Sequence, residues 1–282
     1  MITIGKTYTL PVSKKVDFGF YLDAENLYEV LLPLKFAPQG LSVGDEVEVF
    51  LYLDSEDRPI ATTQKPKAQL GEFAYLQVVD VTDVGAFLNW GLEKDLLVPF
   101  GEQHRPMEKG HSYIVYLYLD KLKGRITASS KIDKFLKDET PHNFVPQQAV
   151  NLLIAHSTDL GFKAIINHTH WGVLYKNEVH QRLSFGQSIK GFIKTIRPDR
   201  KIDLSLTSLH DGSKETRDKY EAMILDYLHT QDGFAPLHDK TDPKIISDLF
   251  GMSKKVFKKA IGGLYKQKII RIENDGIHLV KK

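Results

Sequence analysis

The chain has 282 residues, 42% of them hydrophobic and 26% charged, with a formal net charge of +2 and no cysteine. That length predicts two or more domains, each able to bury a core of its own. The missing thiols exclude disulfides, thiolate metal centres and cysteine nucleophiles, and they fit a reducing compartment. The opening residues Met1-Ile2-Thr3-Ile4 read as strand rather than as a signal peptide, and no stretch is apolar for long enough to span a bilayer. A cytoplasmic placement is therefore expected. Charge is unevenly spread: residues 1–64 hold 5 Lys/Arg against 10 Asp/Glu, whereas residues 241–282 hold 10 against 4. Nucleic-acid affinity is largely phosphate neutralisation, so a nucleic-acid partner is expected to meet the C-terminal half.

Three segments share one spacing. They run from Gly19-Phe20 through Pro33 and Gly44 to Ile60, from Gly85-Ala86-Phe87 through Pro99 and Gly110 to Ile126, and from Gly161-Phe162 through Tyr175 and Gly186 to Ile202. Such a chain reads as an array, with domains at 1–64, 65–138, 139–212 and 213–282. Each repeat predicts five short strands, rich in β-branched and aromatic residues and separated by Gly, Asp and Asn. In the second repeat these are Phe73–Val79, Gly85–Trp90, Leu96–Pro99, Tyr113–Leu119 and Arg125–Ser129. The fourth strands alternate. Val47, Val49 and Leu51, then Tyr113, Val115 and Leu117, then Ile189, Gly191 and Ile193 face inward. Glu48, Phe50 and Tyr52, then Ile114, Tyr116 and Tyr118, then Lys190, Phe192 and Lys194 face outward. Five strands in so short a segment suit a small closed barrel. Phe50, Tyr52, Tyr116 and Tyr118 are placed to pack repeat against repeat.

The run Gly85-Ala86-Phe87-Leu88, Leu97-Val98-Pro99, Lys109-Gly110 and Arg125-Ile126-Thr127-Ala128-Ser129 resembles the RNA-binding domain of the S-one ribosomal protein type, an OB-fold barrel. The third repeat is similar through Trp171-Gly172-Val173-Leu174-Tyr175 and Ile202-Asp203-Leu204-Ser205. The resemblance implies single-stranded RNA laid across the central strands with its bases on aromatic rings. Carried onto this chain, the stacking candidates are Tyr75 and Phe87 in repeat two and Phe162 and Tyr175 in repeat three. Many such domains place His after the third strand, where this chain has Pro33, Pro99 and Tyr175; proline cannot donate a hydrogen bond. Repeat three is therefore the expected binding barrel. There, Lys190 and Lys194 flank Phe192, while Arg197, Arg200 and Lys201 surround the Pro198-Asp199 turn. Interleaved basic and aromatic residues suit a single-stranded nucleic acid. His168, His170 and Trp171 join the candidates as loop residues of the same barrel.

Beyond Asp211-Gly212-Ser213 the period becomes helical. Tyr220, Met223, Ile224, Tyr227 and Leu228 mark a first helix, and Gln231 to Lys240 a linker. Asp242 and Pro243 start a second helix that Gly251 ends, and Ser253 caps a third that runs to about Gln267. On the third helix Val256, Phe257, Ala260, Ile261, Leu264 and Tyr265 share one side; Lys254, Lys255, Lys258, Lys259 and Lys266 share the other, with Gly262 among them. No Asp or Glu lies between Ser253 and Arg271. An Asp275-Gly276 turn between Ile269–Ile272 and Ile277–Val280 predicts a hairpin. This is the order of a winged helix-turn-helix domain, whose third helix commonly meets nucleic acid. Three such barrels and a winged helix, with Phe250-Gly251-Met252-Ser253-Lys254-Lys255 and Phe257-Lys258-Lys259-Ala260-Ile261-Gly262, resemble the conserved virulence factor B family of bacterial RNA-binding regulators.

Enzyme chemistry finds little footing. The chain lacks a Gly-x-x-x-x-Gly-Lys-Ser/Thr phosphate loop and a Gly-x-Ser-x-Gly nucleophile turn. His168, His170 and His180 are not at a usual metal-ligand spacing, so neither metal nor cofactor is expected. The reading is a non-enzymatic binder of single-stranded RNA, with repeat three and the winged helix as its main surface; the sequence favours a monomer without fixing the oligomeric state. Two alternatives stay open: a regulator that reads duplex DNA through the winged helix, and a scaffold on the ribosome or a nuclease.

Overall fold

Apolar residues at every second position turn the repeats into barrels. In the computed structural model, which describes residues 1–120, 124–137, 142–207 and 214–280 (side chains of the last stretch from 218), repeat one forms five strands. They are β1 (Thr7–Val16), β2 (Gly19–Asp23), β3 (Glu29–Pro33), β4 (Glu46–Leu53) and β5 (Pro59–Thr62). Repeat two gives β6 (Phe73–Thr82), β7 (Gly85–Asn89), β8 (Leu96–Pro99), β9 (Ser112–Leu119) and β10 (Ile126–Ser129). Repeat three gives β11 (Ala149–Thr158), β12 (Gly161–Ile166), β13 (His170–Tyr175), β14 (Ser188–Ile196) and β15 (Ile202–Ser205). Two of the expected domain boundaries, at 138/139 and 212/213, lie outside the described residues.

The first and third repeats are closed barrels with strand order 1-2-3-5-4. A short parallel pairing of the third strand with the fifth closes each, Leu31 with Ile60 in one and Leu174 with Leu204 in the other. The second repeat keeps the order β10-β9-β6-β7-β8 without a closing ladder, so it is nearly closed. Each first strand carries a bulge, between Val12 and Lys14, Val78 and Asp80, and Ile154 and His156, which bends it around the barrel. The glycine that opens each second strand permits close contact with the third: a Cβ on Gly161 would stand 2.0 Å from the Leu174 carbonyl oxygen.

The last landmark of the repeat is not equivalent in all three. Leu51 pairs with Ala61, but Leu117 pairs with Ala128 and Ile193 with Leu204, so the first barrel's closing hairpin is one residue shorter. A one-residue slip reverses the faces of a strand. Ile126 and Ile202 share their faces with the inward Ala128 and Leu204. Ile60 points outward instead and packs in the second barrel's cluster.

The chain divides into two compact units, one of residues Met1–Lys137 with His168–His170, the other the remainder. Within the first, the outward face of β4 is covered as expected: Phe50 and Tyr52 are buried in the same cluster as Leu76, Leu88 and Trp90 of the second barrel. The Phe50 and Trp90 rings meet edge to face at 5.6 Å. Tyr116 and Tyr118 do something else. They lie on Phe135, with centroids 4.1 and 5.7 Å away, so they pack within the second repeat's own segment.

The second unit holds the third barrel and a helical module. The module consists of α1 (Lys214–Thr230), β16 (Phe234–Ala235), α2 (Pro243–Phe250), α3 (Lys254–Lys266), β17 (Ile270–Ile272) and β18 (Ile277–Leu279). Asp242 caps α2 by accepting from Lys244 N–H at 2.7 Å, Gly251 ends it at φ 62°, and Ser253 caps α3. Ile224, Leu228, Ile246, Phe250, Phe257, Ile261 and Leu264 fill its core. The expected linker hides β16, which joins the hairpin in a sheet of order β16-β18-β17. Two residues are too few to show a strand period. Among the described residues, no helix is long and apolar enough to cross a membrane.

Candidate nucleic-acid interface

Strand parity decides which side chains of the third barrel reach a partner. Phe162, Ala164 and Ile166 pack against the barrel core, so Phe162 lies on the inner side rather than on the surface expected of it. Counting from the shared glycine gives the reason. Phe162 matches Ala86, and it is Lys163 that matches the outward Phe87. Lys163 stands opposite His156, with its ammonium 4.1 Å from the centroid of the Trp171 ring. Trp171 itself is buried, with the His156 ring 5.9 Å away.

Tyr175, at the end of β13, is outward and half-buried, and a polar network holds it. Arg197 donates to the Tyr175 hydroxyl, and its Nε and Nη2 donate to Asp203 Oδ1 at 3.0 and 2.7 Å. The Asp203 hydrogen bond, then its charge, raises the guanidinium's affinity for its proton. Lys194 pairs with Glu178. The ring is thereby fixed in place, while two of the expected phosphate ligands, Lys194 and Arg197, already have acidic partners. Lys190 is exposed beside the half-buried Phe192 on β14, and Arg200 is exposed at the hairpin tip with φ 63°.

In the second barrel Tyr75 and Phe87 are not brought together. Tyr75, exposed on β6, pairs with Ile114, whereas Phe87 pairs with Asp80, five residues further along the strand. At about 3.3 Å per residue they are roughly 16 Å apart. What the repeat spacing does hold, and the sequence reading passed over, is the residue before each shared glycine. Phe18, Val84 and Leu160 are exposed by 59, 53 and 70%. In the first two repeats an exposed Leu34 or Phe100 follows the proline. The first barrel adds Tyr21, with the Lys14 ammonium 5.9 Å from its ring centroid. Large apolar residues left in water at one recurring position were detectable by aligning the repeats.

His168 and His170 belong to the compact first unit. His168 Nδ1 accepts from the Phe73 N–H at 2.9 Å, the two rings are parallel with centroids 6.5 Å apart, and His170 is buried. Burial lowers the His168 pKa, and Lys6 adds to this while Glu72 opposes it. The accepting nitrogen must be unprotonated. A depressed folded pKa stabilises above the unfolded value of about 6.5, and that contribution is lost as pH falls below it. Urea unfolding of the full chain is thus expected to show a midpoint that drops as pH falls below about 6.5. His168→Asn, which keeps an acceptor and tolerates the left-handed φ of 58°, should drop less. Equal drops in parent and variant would refute this role.

On α3 the basic side is open. Lys255, Lys258 and Lys259 are exposed and Lys254 is half-exposed; a Cβ on Gly262 would meet nothing within 4 Å. Lys258 stands 3.5 Å from Asp239, both exposed, a weak pair. Tyr265, expected on the apolar side, is 56% exposed. Leu264 completes the core, and the next residue turns past its edge onto the lysine side. Elsewhere Glu273, Asp275 and His278 in the hairpin bring ligand atoms within 4.8 Å of one another. His278 hydrogen-bonds Asp275 at 3.0 Å and holds its carboxyl below the usual range.

The S1 domain family model matches residues 4–64 and 70–131, and the CvfB-like winged helix domain model matches residues 222–279. The uncharacterized protein YitL of Bacillus subtilis (strain 168) is 29% identical over 288 residues, covering 96% of this chain and 91% of that protein. Conserved virulence factor B of Staphylococcus aureus (strain N315) is 28% identical over 256 residues, covering 86% of this chain and 82% of that one. A crystal structure of a multidomain protein with nucleic acid binding domains from Streptococcus pneumoniae TIGR4 is 25% identical, covers 98% of each chain and has a TM-score of 0.42.

Proposed function

Since this chain belongs to the family that joins S1 domains to a CvfB-like winged helix, we propose that it binds single-stranded RNA and regulates gene expression after transcription. The observation that carries this is the exposed face of α3, where four lysines, Gly262 and Tyr265 lie in a stretch without a single acid. Clustered cations attract the phosphate chain, and a bare glycine lets it approach. The barrels favour an unpaired strand over a duplex. Exposed Phe18 and half-buried Tyr21, Phe87 and Tyr175 offer ring faces, and unstacked bases are what such faces take up. Lys163 and Lys190 add charge on the third barrel, with Arg200 at its hairpin tip. The protein acts by binding, in the cytoplasm, with no chemistry of its own, and the virulence-factor name of its relatives fits a regulator of bacterial gene expression.

The winged helix also supports a second reading, since a third helix of this kind can enter the major groove of DNA. Competition decides between them. Labelled single-stranded RNA bound to the full chain is challenged with unlabelled RNA of the same length or with duplex DNA. We expect RNA to displace the label at least about tenfold more effectively, a difference of about 1.4 kcal/mol. Duplex DNA winning the competition would replace the RNA reading with a transcriptional one.

A further inference from the structure

The winged helix has a second surface that the lysine helix does not explain. Register places Phe234 opposite His278 and His278 opposite Arg271, so one row crosses all three strands β16, β18 and β17. The neighbouring row, Ala235, Ile277 and Ile272, packs toward the helices, with Ala235 and Ile277 fully buried. Phe234, His278 and Arg271 therefore share the outer face of the sheet. They line a cavity of about 640 Å³ whose rim includes His229 from the last turn of α1 and Asp232 from the turn that follows it. Phe234 is 37% exposed, and its ring centroid lies 4.8 Å from that of His278.

Resting on the RNA-binding reading above, we propose that this outer sheet face is a nucleotide site that seats one unpaired base of the RNA on Phe234 and His278 and directs its phosphate to Arg271 and His229. An aromatic wall beside a guanidinium and imidazoles matches a base joined to a phosphate. The acids nearby do not close the site. Arg271 meets Glu273 only at 3.5 Å, through one of its five donors, with its side chain 64% exposed. Asp275 and Glu273 both face His278 Nε2, at 3.0 and 4.0 Å, which leaves the ring face to the base, and Asp232 lines the rim, where it can accept from an exocyclic amino group. The cavity holds a nucleotide but is too small for a duplex.

A short oligouridylate carrying 4-thiouridine, photo-cross-linked to the full chain and mapped by mass spectrometry, tests this. Cross-links are expected on Phe234 or His278. Phe234→Ala should abolish them, leave those on α3 and the barrels, and weaken binding about five- to tenfold. Phe234→Leu keeps the bulk and removes the ring, and it should match the alanine variant with an unchanged melting temperature. Cross-links on α3 and the barrels but none on the sheet would overturn the site and leave RNA binding standing. Full binding by the leucine variant would overturn stacking in favour of packing. Failure of the parent to bind or cross-link RNA at all would overturn the RNA-binding reading itself, and the site with it.

Discussion

Replacing Lys254, Lys255, Lys258 and Lys259 together by alanine should weaken binding of single-stranded RNA by about two orders of magnitude near 0.1 M salt. Each lysine that neutralises a phosphate releases a counterion, and for single strands each contributes about 0.7 to the slope of log affinity against log salt. Removing four should flatten that slope by about 3. The fold should survive, because Lys255, Lys258 and Lys259 are exposed, Lys254 is half-exposed, and alanine favours a helix at least as well. The informative pair of readings is therefore slope and melting temperature. A lost slope with an unchanged melting temperature places the phosphate contacts on α3. An unchanged slope would mean that the basic face of α3 is only a solvated surface.

Phe50→Ala is expected to cost about 3–5 kcal/mol, the range for removing a buried large aromatic ring. Phe50 is 1% exposed, yet it stands on the outward side of β4, in the cluster of the second barrel. Its loss should therefore lower the stability of both barrels of the first unit in one transition. The same position in the third barrel is the half-buried Phe192, where alanine should cost about 1 kcal/mol. Denaturant unfolding followed by the fluorescence of Trp90, against which Phe50 packs, reads the first barrel's mutation in the second. A Trp90 transition that does not move would show that the barrels unfold independently.

The contrast between Phe50 and Phe192 marks how far the sequence is legible. Alternation along β4, β9 and β14 names the outward residues of all three barrels, because the side-chain period of a strand is fixed. What covers an outward residue is a tertiary fact. Phe50 meets Trp90, Tyr116 meets Phe135, and Phe192 stays half-open, though all three occupy one repeat position. The caps of α2 and α3 and the Asp-Gly turn were readable because their signals are local. Phe162 and Ile60 were misplaced by a single residue each. Phe162 aligns with Ala86, one residue short of the outward Phe87, and the one-residue-shorter hairpin before Ile60 leaves no mark on the landmark spacing. Tyr265 shows the limit of a helical wheel, which gives a direction but not where the core ends.

The most direct test of the central claim is the salt dependence of binding between the unmodified full chain and an unstructured single-stranded RNA. Affinity should fall steeply as salt rises, with a log–log slope of about −3 or steeper, as four or more neutralised phosphates require. Binding that is undetectable at low salt, or indifferent to salt where detected, would contradict the account.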